Sequence, residues 1–141
     1  MPYDVETVSV DGRATALGSA GAFTLVVDRP ASAGGGGQGF NGGQLLNLAV
    51  AGCVSNDLFR EAAKAGISLR RVRVTARSDY AGDPAVSTPI EYDVEVEGDA
   101  DEAALRDLVA RVDSIAEIPN SLRGGTDVRL RATTVRGASE T

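Results

Sequence analysis

Histidine and tryptophan are absent from this 141-residue chain, and cysteine and methionine occur once each. Without histidine, neither Ser-His-Asp nor Cys-His catalysis can be assembled within the chain, and an ordinary zinc hydrolase site lacks its usual ligand. A single cysteine excludes an internal disulfide, a CxxC redox pair and a cysteine-cluster metal site. No metal and no cofactor is expected. Long apolar runs are missing too. The longest, around residues 45–54, is about half a membrane span. The opening MPYDVETVSV is neither basic nor apolar enough for a signal peptide. These absences lead to the expectation of a soluble cytoplasmic protein with no membrane partner.

Lysine is nearly missing as well, since Lys64 is the only one among 14 basic residues. Set against 20 acidic residues, these give a formal net charge of −6. That balance argues against nucleic acid as a partner, because phosphate binding needs concentrated positive charge. What is present suffices for a core. Hydrophobic residues make up 43% of the chain, and the length suits one domain, residues 1–141.

The N-terminal segment predicts a small antiparallel meander. Its expected strands are Tyr3 to Val10, Ala14 to Leu17 and Phe23 to Val27. Turns are expected at Asp11-Gly12 and over Gly18-Ser19-Ala20-Gly21. Residues 29–43, RPASAGGGGQGFNGG, read as a loop. No Gly-Lys-Ser/Thr ends it, so it is not a P-loop, and it fits the dinucleotide fingerprint poorly. A helix is predicted from about residue 42 to 65, capped by Asn41 and ended by Gly66, with Lys64 in the last turn. Its first half, Leu45 to Val54, is apolar nearly all round, which predicts burial on most sides.

A hairpin follows. Val72, Val74 and Ala76 alternate with arginines on one strand, and Ile90, Tyr92, Val94 and Val96 alternate with carboxylates on the return strand. Asp99 and Glu102 fit a capping pair for a second helix carrying Leu105, Leu108, Val109, Val112 and Ile115. Pro119 is expected to interrupt the chain before a short turn at Ser121-Leu122-Arg123. Val128, Leu130 and Ala132 predict a last strand, and residues 137–141 a frayed end. The order ββ(β)–α–ββ–α–β defines an α+β fold with antiparallel sheets. The apolar helix is explained by an obligate homodimer.

Two stretches resemble a known family. GGGGQGFNGGQLLNLAVAGC, residues 34–53, and IAEIPNSLRGGTDV, residues 115–128, resemble the two motifs of the OsmC/Ohr family of osmotically inducible and organic hydroperoxide resistance proteins. The resemblance implies an intertwined homodimer, with sheets from both chains wrapped around two central helices. It also implies peroxide reduction: a first cysteine attacks the peroxide, a second resolves the sulfenic acid, and an arginine and a glutamate assist. Carried over residue by residue, the attacking cysteine is Cys53. The resolving cysteine falls at Ala116 and the assisting glutamate at Gly43, so both are absent. The motif proline falls at Glu117, the serine at Pro119 and the helix-start proline at Gly42. Arg13 is the nearest candidate for the assisting arginine.

A thiol peroxidase needs a thiolate, and a nearby cation favours one. Arginine suits the role because it stays charged and offers a fork of donors. Besides Arg13, the candidates are Arg60 and Arg123. Arg60 lies seven residues after Cys53, roughly 10 Å along a helix, which suits a pocket rim. Asp57 can orient or pair with Arg60, and its charge close to Cys53 opposes thiolate formation. Leu46, Val50, Val54 and Phe59, with Phe40 and Phe23, are candidate lining for an apolar pocket suited to an organic hydroperoxide. Asn56 either donates into that pocket or pairs locally. With one cysteine the cycle requires an external thiol reductant. Two other readings stand beside this one: a non-catalytic relative binding a small apolar ligand between subunits, and a structural or interaction protein whose side chains fill that space.

Overall fold

The computed structural model describes residues 3–138, so the end of the expected frayed tail, from residue 139 on, lies outside it. Strands β1 (Glu6–Ser9), β2 (Ala16–Ala20) and β3 (Phe23–Val27) form an antiparallel meander in the order β1-β2-β3. The second turn falls at residues 21–22, later than expected, because Ala20 pairs with Phe23 and Gly21 takes a φ of 58°. Gly18, Ser19 and Ala20 are strand residues. Their small side chains carry little β signal, and register with β1 and β3 decides their conformation.

The Gly-rich loop is drawn around Asp28, which is almost fully buried. Its carboxylate accepts hydrogen bonds from the Thr15 hydroxyl (2.8 Å) and the amides of Arg29 (2.7 Å), Gly36 (3.1 Å) and Gln38 (3.1 Å). Burial pushes the Asp28 carboxyl up, but those four donors outweigh it and hold it below the ordinary range. Two glycines are required for a steric reason. A Cβ at Gly35 would lie 2.1 Å from the Arg29 carbonyl oxygen, and one at Gly39 would lie 2.2 Å from that of Val26.

Helix α1 (Gly42–Lys64) follows. Asn41 caps it, accepting from the Gln44 amide at 2.9 Å, and Gln44 Oε1 accepts in return from the Asn41 amide at 3.0 Å. This reciprocal box is the Asn-x-x-Gln pattern of a helix start. Gly66, at a φ of 70°, turns the chain away at the other end. Strands β4 (Leu69–Arg77) and β7 (Glu91–Gly98) pair antiparallel, with Val72 opposite Val96 and Val74 opposite Val94. Between them a small hairpin, β5 (Tyr80–Ala81) and β6 (Val86–Ser87), occupies the expected connection.

Helix α2 (Glu102–Ile115) is capped by Asp101, which accepts from the Ala104 amide at 2.8 Å. The expected cap, Asp99, instead pairs with Arg70 at 2.6 Å. Helix α3 (Glu117–Arg123) contains Pro119 rather than being interrupted by it. The proline lies in the first turn, where an amide has no intrahelical acceptor to lose. Residues 126–138 form no strand, and Val128 and Leu130 are exposed. Among the described residues, no strand pairs with the alternation expected there.

The core lies between the β4–β7 hairpin and the helices. Val54, Leu58 and Ala62 of α1 meet Leu108 and Val112 of α2 and Ala116, over Val72, Val74, Tyr92 and Val94 of the sheet. Leu58 and Val112 have no remaining exposure, and full burial of such a side chain contributes roughly 1.5–3 kcal/mol. In contrast, Val8, Leu17, Phe23 and Leu25 of the meander remain exposed.

Candidate functional site

Cys53 lies in the middle of α1, half-buried, and packs against the buried cluster that contains Ala116. The thiol faces Asp57, one turn on, with Sγ 4.0 Å from Oδ2. Asp57 is 7% exposed. Its other oxygen, Oδ1, is 3.3 Å from Arg60 Nη1. The structure thus joins three of the expected residues, Cys53, Asp57 and Arg60, along one face of a helix.

Glu61 is the residue that sequence reasoning missed. It is 3% exposed and surrounded by cations. Lys64 Nζ lies 3.0 Å from Oε2, Arg111 Nε donates to Oε1 at 3.0 Å, and Arg60 Nε donates to Oε2 at 3.1 Å. The Lys64, Arg111 and Arg60 hydrogen bonds pull its carboxyl down to about 2. Arg60 is raised above its ordinary value, first by Glu61 and then by the Asp57 charge. The spacing of Glu61 from Arg60 and Lys64 was readable, but Arg111 arrives from α2, fifty residues away.

A cavity of about 430 Å³ opens beside this face of α1. Leu46 and Val50 line it, opposite Pro89, Ile90 and Tyr92, with Pro119 and Leu122 of α3 closing one side. At its edge, Arg123 donates to the Asp113 carbonyl (2.8 Å) and to Asp113 Oδ1 (2.7 Å). The Tyr92 hydroxyl also donates to Asp113 Oδ1. Burial, then the Asp113 carboxylate, pushes the Tyr92 phenol up to about 12. Arg123 is thereby committed to a bracing role between helices.

The remaining expected residues are dispersed. Val54 is a core side chain, while Asn56 and Phe59 lie on the exposed side of α1. Phe40 is 43% exposed, in the loop before α1. Phe23 is exposed on the meander. The expected single pocket wall therefore divides into cavity, core and surface, because a helix cannot turn residues 54 and 59 toward one space. Arg13 is exposed in the β1–β2 connection and lines a cleft with Val10, Thr15, Gly36 and Gln38, to which Cys53 does not contribute. Gly43 faces Tyr80: a Cβ there would be 3.0 Å from a ring carbon and 3.3 Å from the hydroxyl. Among the described residues, no group of three or more acidic or cysteine side chains converges as a metal site, and no helix is long and apolar enough to cross a membrane.

A central helix bearing one thiol, covered on one side by an antiparallel hairpin and two further helices, defines an α+β protein with a candidate thiol site. The family model for OsmC-like protein matches residues 35–131, and the chain belongs to that family. No curated protein matches the sequence. Among solved structures, an OsmC-like protein from Mycoplasma pneumoniae superposes with a TM-score of 0.75 at 17% identity, over 86% of this chain and 87% of the other. OhrB, the organic hydroperoxide resistance protein of Bacillus subtilis, gives 0.63 at 19%, over 86% and 92%. An organic hydroperoxide resistance protein OsmC from Legionella pneumophila gives 0.58 at 22%, over 86% and 90%. At these identities the likeness is one of fold.

Proposed function

We propose that this protein reduces organic hydroperoxides through Cys53, as a one-domain chain working in a cytoplasmic homodimer and regenerated by an external thiol. The observation that carries this reading is the position of Cys53. The family resemblance makes it the attacking residue, and it is partly exposed, one turn beyond the cavity-lining Val50 on the same face of α1. The thiolate attacks the terminal peroxide oxygen. The O–O bond breaks, the sulfur becomes a sulfenic acid, and the alcohol leaves after taking a proton. With alanine at 116, no internal disulfide can follow. An external thiol attacks the sulfenic sulfur, water leaves, and a second thiol releases Cys53 from the mixed disulfide.

The exposed face of α1 supports the homodimer. Leu48 and Phe59 are about half exposed there, and a Cβ at Gly52 between them would meet nothing within 4 Å. The position of Gly43 points the same way. Ten residues separate it from Cys53, about 15 Å along the helix axis. A group at position 43 reaches sulfur only from a partner helix running antiparallel. Arg13 is then a candidate from the partner as well. The 430 Å³ apolar cavity favours a second reading, in which the protein binds a small apolar ligand without turnover.

The deciding experiment is intact mass of the reduced protein after brief exposure to one equivalent of cumene hydroperoxide. Cys53→Ser serves as control and hydrogen peroxide as a parallel sample. Rapid oxygen addition that prefers the organic peroxide, and reverses with dithiol, is the expected result. An unchanged mass over many minutes refutes the peroxidase reading and leaves the ligand-binding one.

A further inference from the structure

We propose that Arg60 serves Cys53 through Asp57, by pairing with the carboxylate that faces sulfur and cancelling the charge that would otherwise oppose loss of the thiol proton. This rests on the peroxidase reading, since it concerns how readily Cys53 becomes a nucleophile. The geometry separates the two carboxylate oxygens. Oδ2 faces the sulfur at 4.0 Å, while Oδ1 is held by Arg60 at 3.3 Å. Arg60 itself stands two helical turns from Cys53, roughly 10 Å along the axis. Its Nη1 is occupied by Asp57 and its Nε by Glu61, so the guanidinium is spent on carboxylates rather than on sulfur.

The surroundings hold that arrangement in place. Asp57 and Glu61 are both more than nine-tenths buried, whereas the Arg60 side chain is 48% exposed. Glu61, anchored by Lys64 of α1 and Arg111 of α2, fixes the guanidinium from below. Glu117 of α3 adds a further attraction on Arg60. The charged groups linked to Asp57 through Arg60 are Glu61, with its partners Lys64 and Arg111, and Glu117, and Arg60 alone among the cations touches Asp57 among the described contacts. When the thiol ionises, its proton passes to water and no oxidant is consumed. An uncompensated carboxylate this close to a thiol suppresses the thiolate. Arg60 is thus a positioning residue, acting on the reaction by way of Asp57.

The test is a double-mutant cycle on the full chain: wild type, Arg60→Ala, Asp57→Asn and the pair combined. The rate of Cys53 alkylation by iodoacetamide is followed across pH, alongside intact mass after cumene hydroperoxide. Arg60→Ala should slow alkylation near neutral pH by about tenfold and move its profile to higher pH. Asp57→Asn should react at least as fast as wild type. The double variant should recover to within about twofold of Asp57→Asn. That recovery is something a merely structural role for Arg60 would not produce. Equal slowing in both backgrounds, or no slowing at all, overturns the inference. A wild type that alkylates in this pattern yet gains no oxygen from peroxide upholds the charge relation and sinks the peroxidase reading alone.

Discussion

Placing at position 43 the glutamate that the family resemblance assigns there tests the local geometry of the α1 start. Gly43 lies in the first turn of a helix whose first turn carries no acidic residue. Gly43→Glu removes the entropic cost of a helical glycine, about 0.5–1 kcal/mol, and places a carboxylate at the positive end of the helix, about 0.3–1 kcal/mol. Against this stands the Tyr80 ring, 3.0 Å from where the new Cβ would be. Tyr80 is half-exposed on a two-residue strand, so it can turn aside at a strain of about 0.5–1.5 kcal/mol. Gly43→Glu alone should therefore change stability by less than about 1 kcal/mol, while in a Tyr80→Ala background it should stabilise by about 1–2 kcal/mol. Urea unfolding of the four proteins, at one fixed protein concentration, measures both values. An equal effect in the two backgrounds would show that Tyr80 does not press on position 43. Destabilisation in the Tyr80→Ala background would refute the helix-start argument itself.

Three further outcomes are expected. Gly52→Leu should disrupt the proposed homodimer, so light scattering should report a mass near 14.5 kDa where a dimeric wild type reports twice that; an unchanged assembly rules out this face as the interface. Glu61 has a folded pKa depressed from 4.5 to about 2, so its stabilisation is present above 4.5 and is lost as pH falls toward 2. The thermal midpoints of wild type and Glu61→Gln should accordingly be far apart near neutrality and converge in acid, and a constant gap contradicts the ion-pair account. Ala116→Cys places a second thiol in the cluster against which Cys53 packs. One equivalent of hydroperoxide should then remove both thiols as an internal disulfide, and retention of two free thiols or an overoxidised Cys53 beside a free thiol at position 116 argues against that proximity.

The elements with strong local chemistry were legible. Asn41 and Gly66 bracket α1 to within a residue or two, and the alternation of β4 and β7 predicts their inward faces. Misreadings occur where one residue type serves two purposes. Small residues at 18–20 suit a turn as well as a strand. Pro119 breaks a helix only beyond its first turn, and either of two aspartates can cap α2. At the site, Cys53, Asp57 and Arg60 share a helix, so their contact follows from spacing. Glu61 gains its meaning only from Arg111, and Gly43 only from Tyr80, which no local pattern can supply. The tail at 128–132 has the right alternation, but a strand also requires an edge to pair with.

The exposed apolar side chains of the meander carry a kinetic consequence. In the proposed homodimer the covering layer of this sheet arrives on another polypeptide, so its burial cannot be completed by a first-order process. Refolding should thus contain a phase that accelerates with protein concentration, and dilution should act on this molecule as a denaturant does on a self-sufficient one. In that assembly, expression level sets how much of the protein is whole.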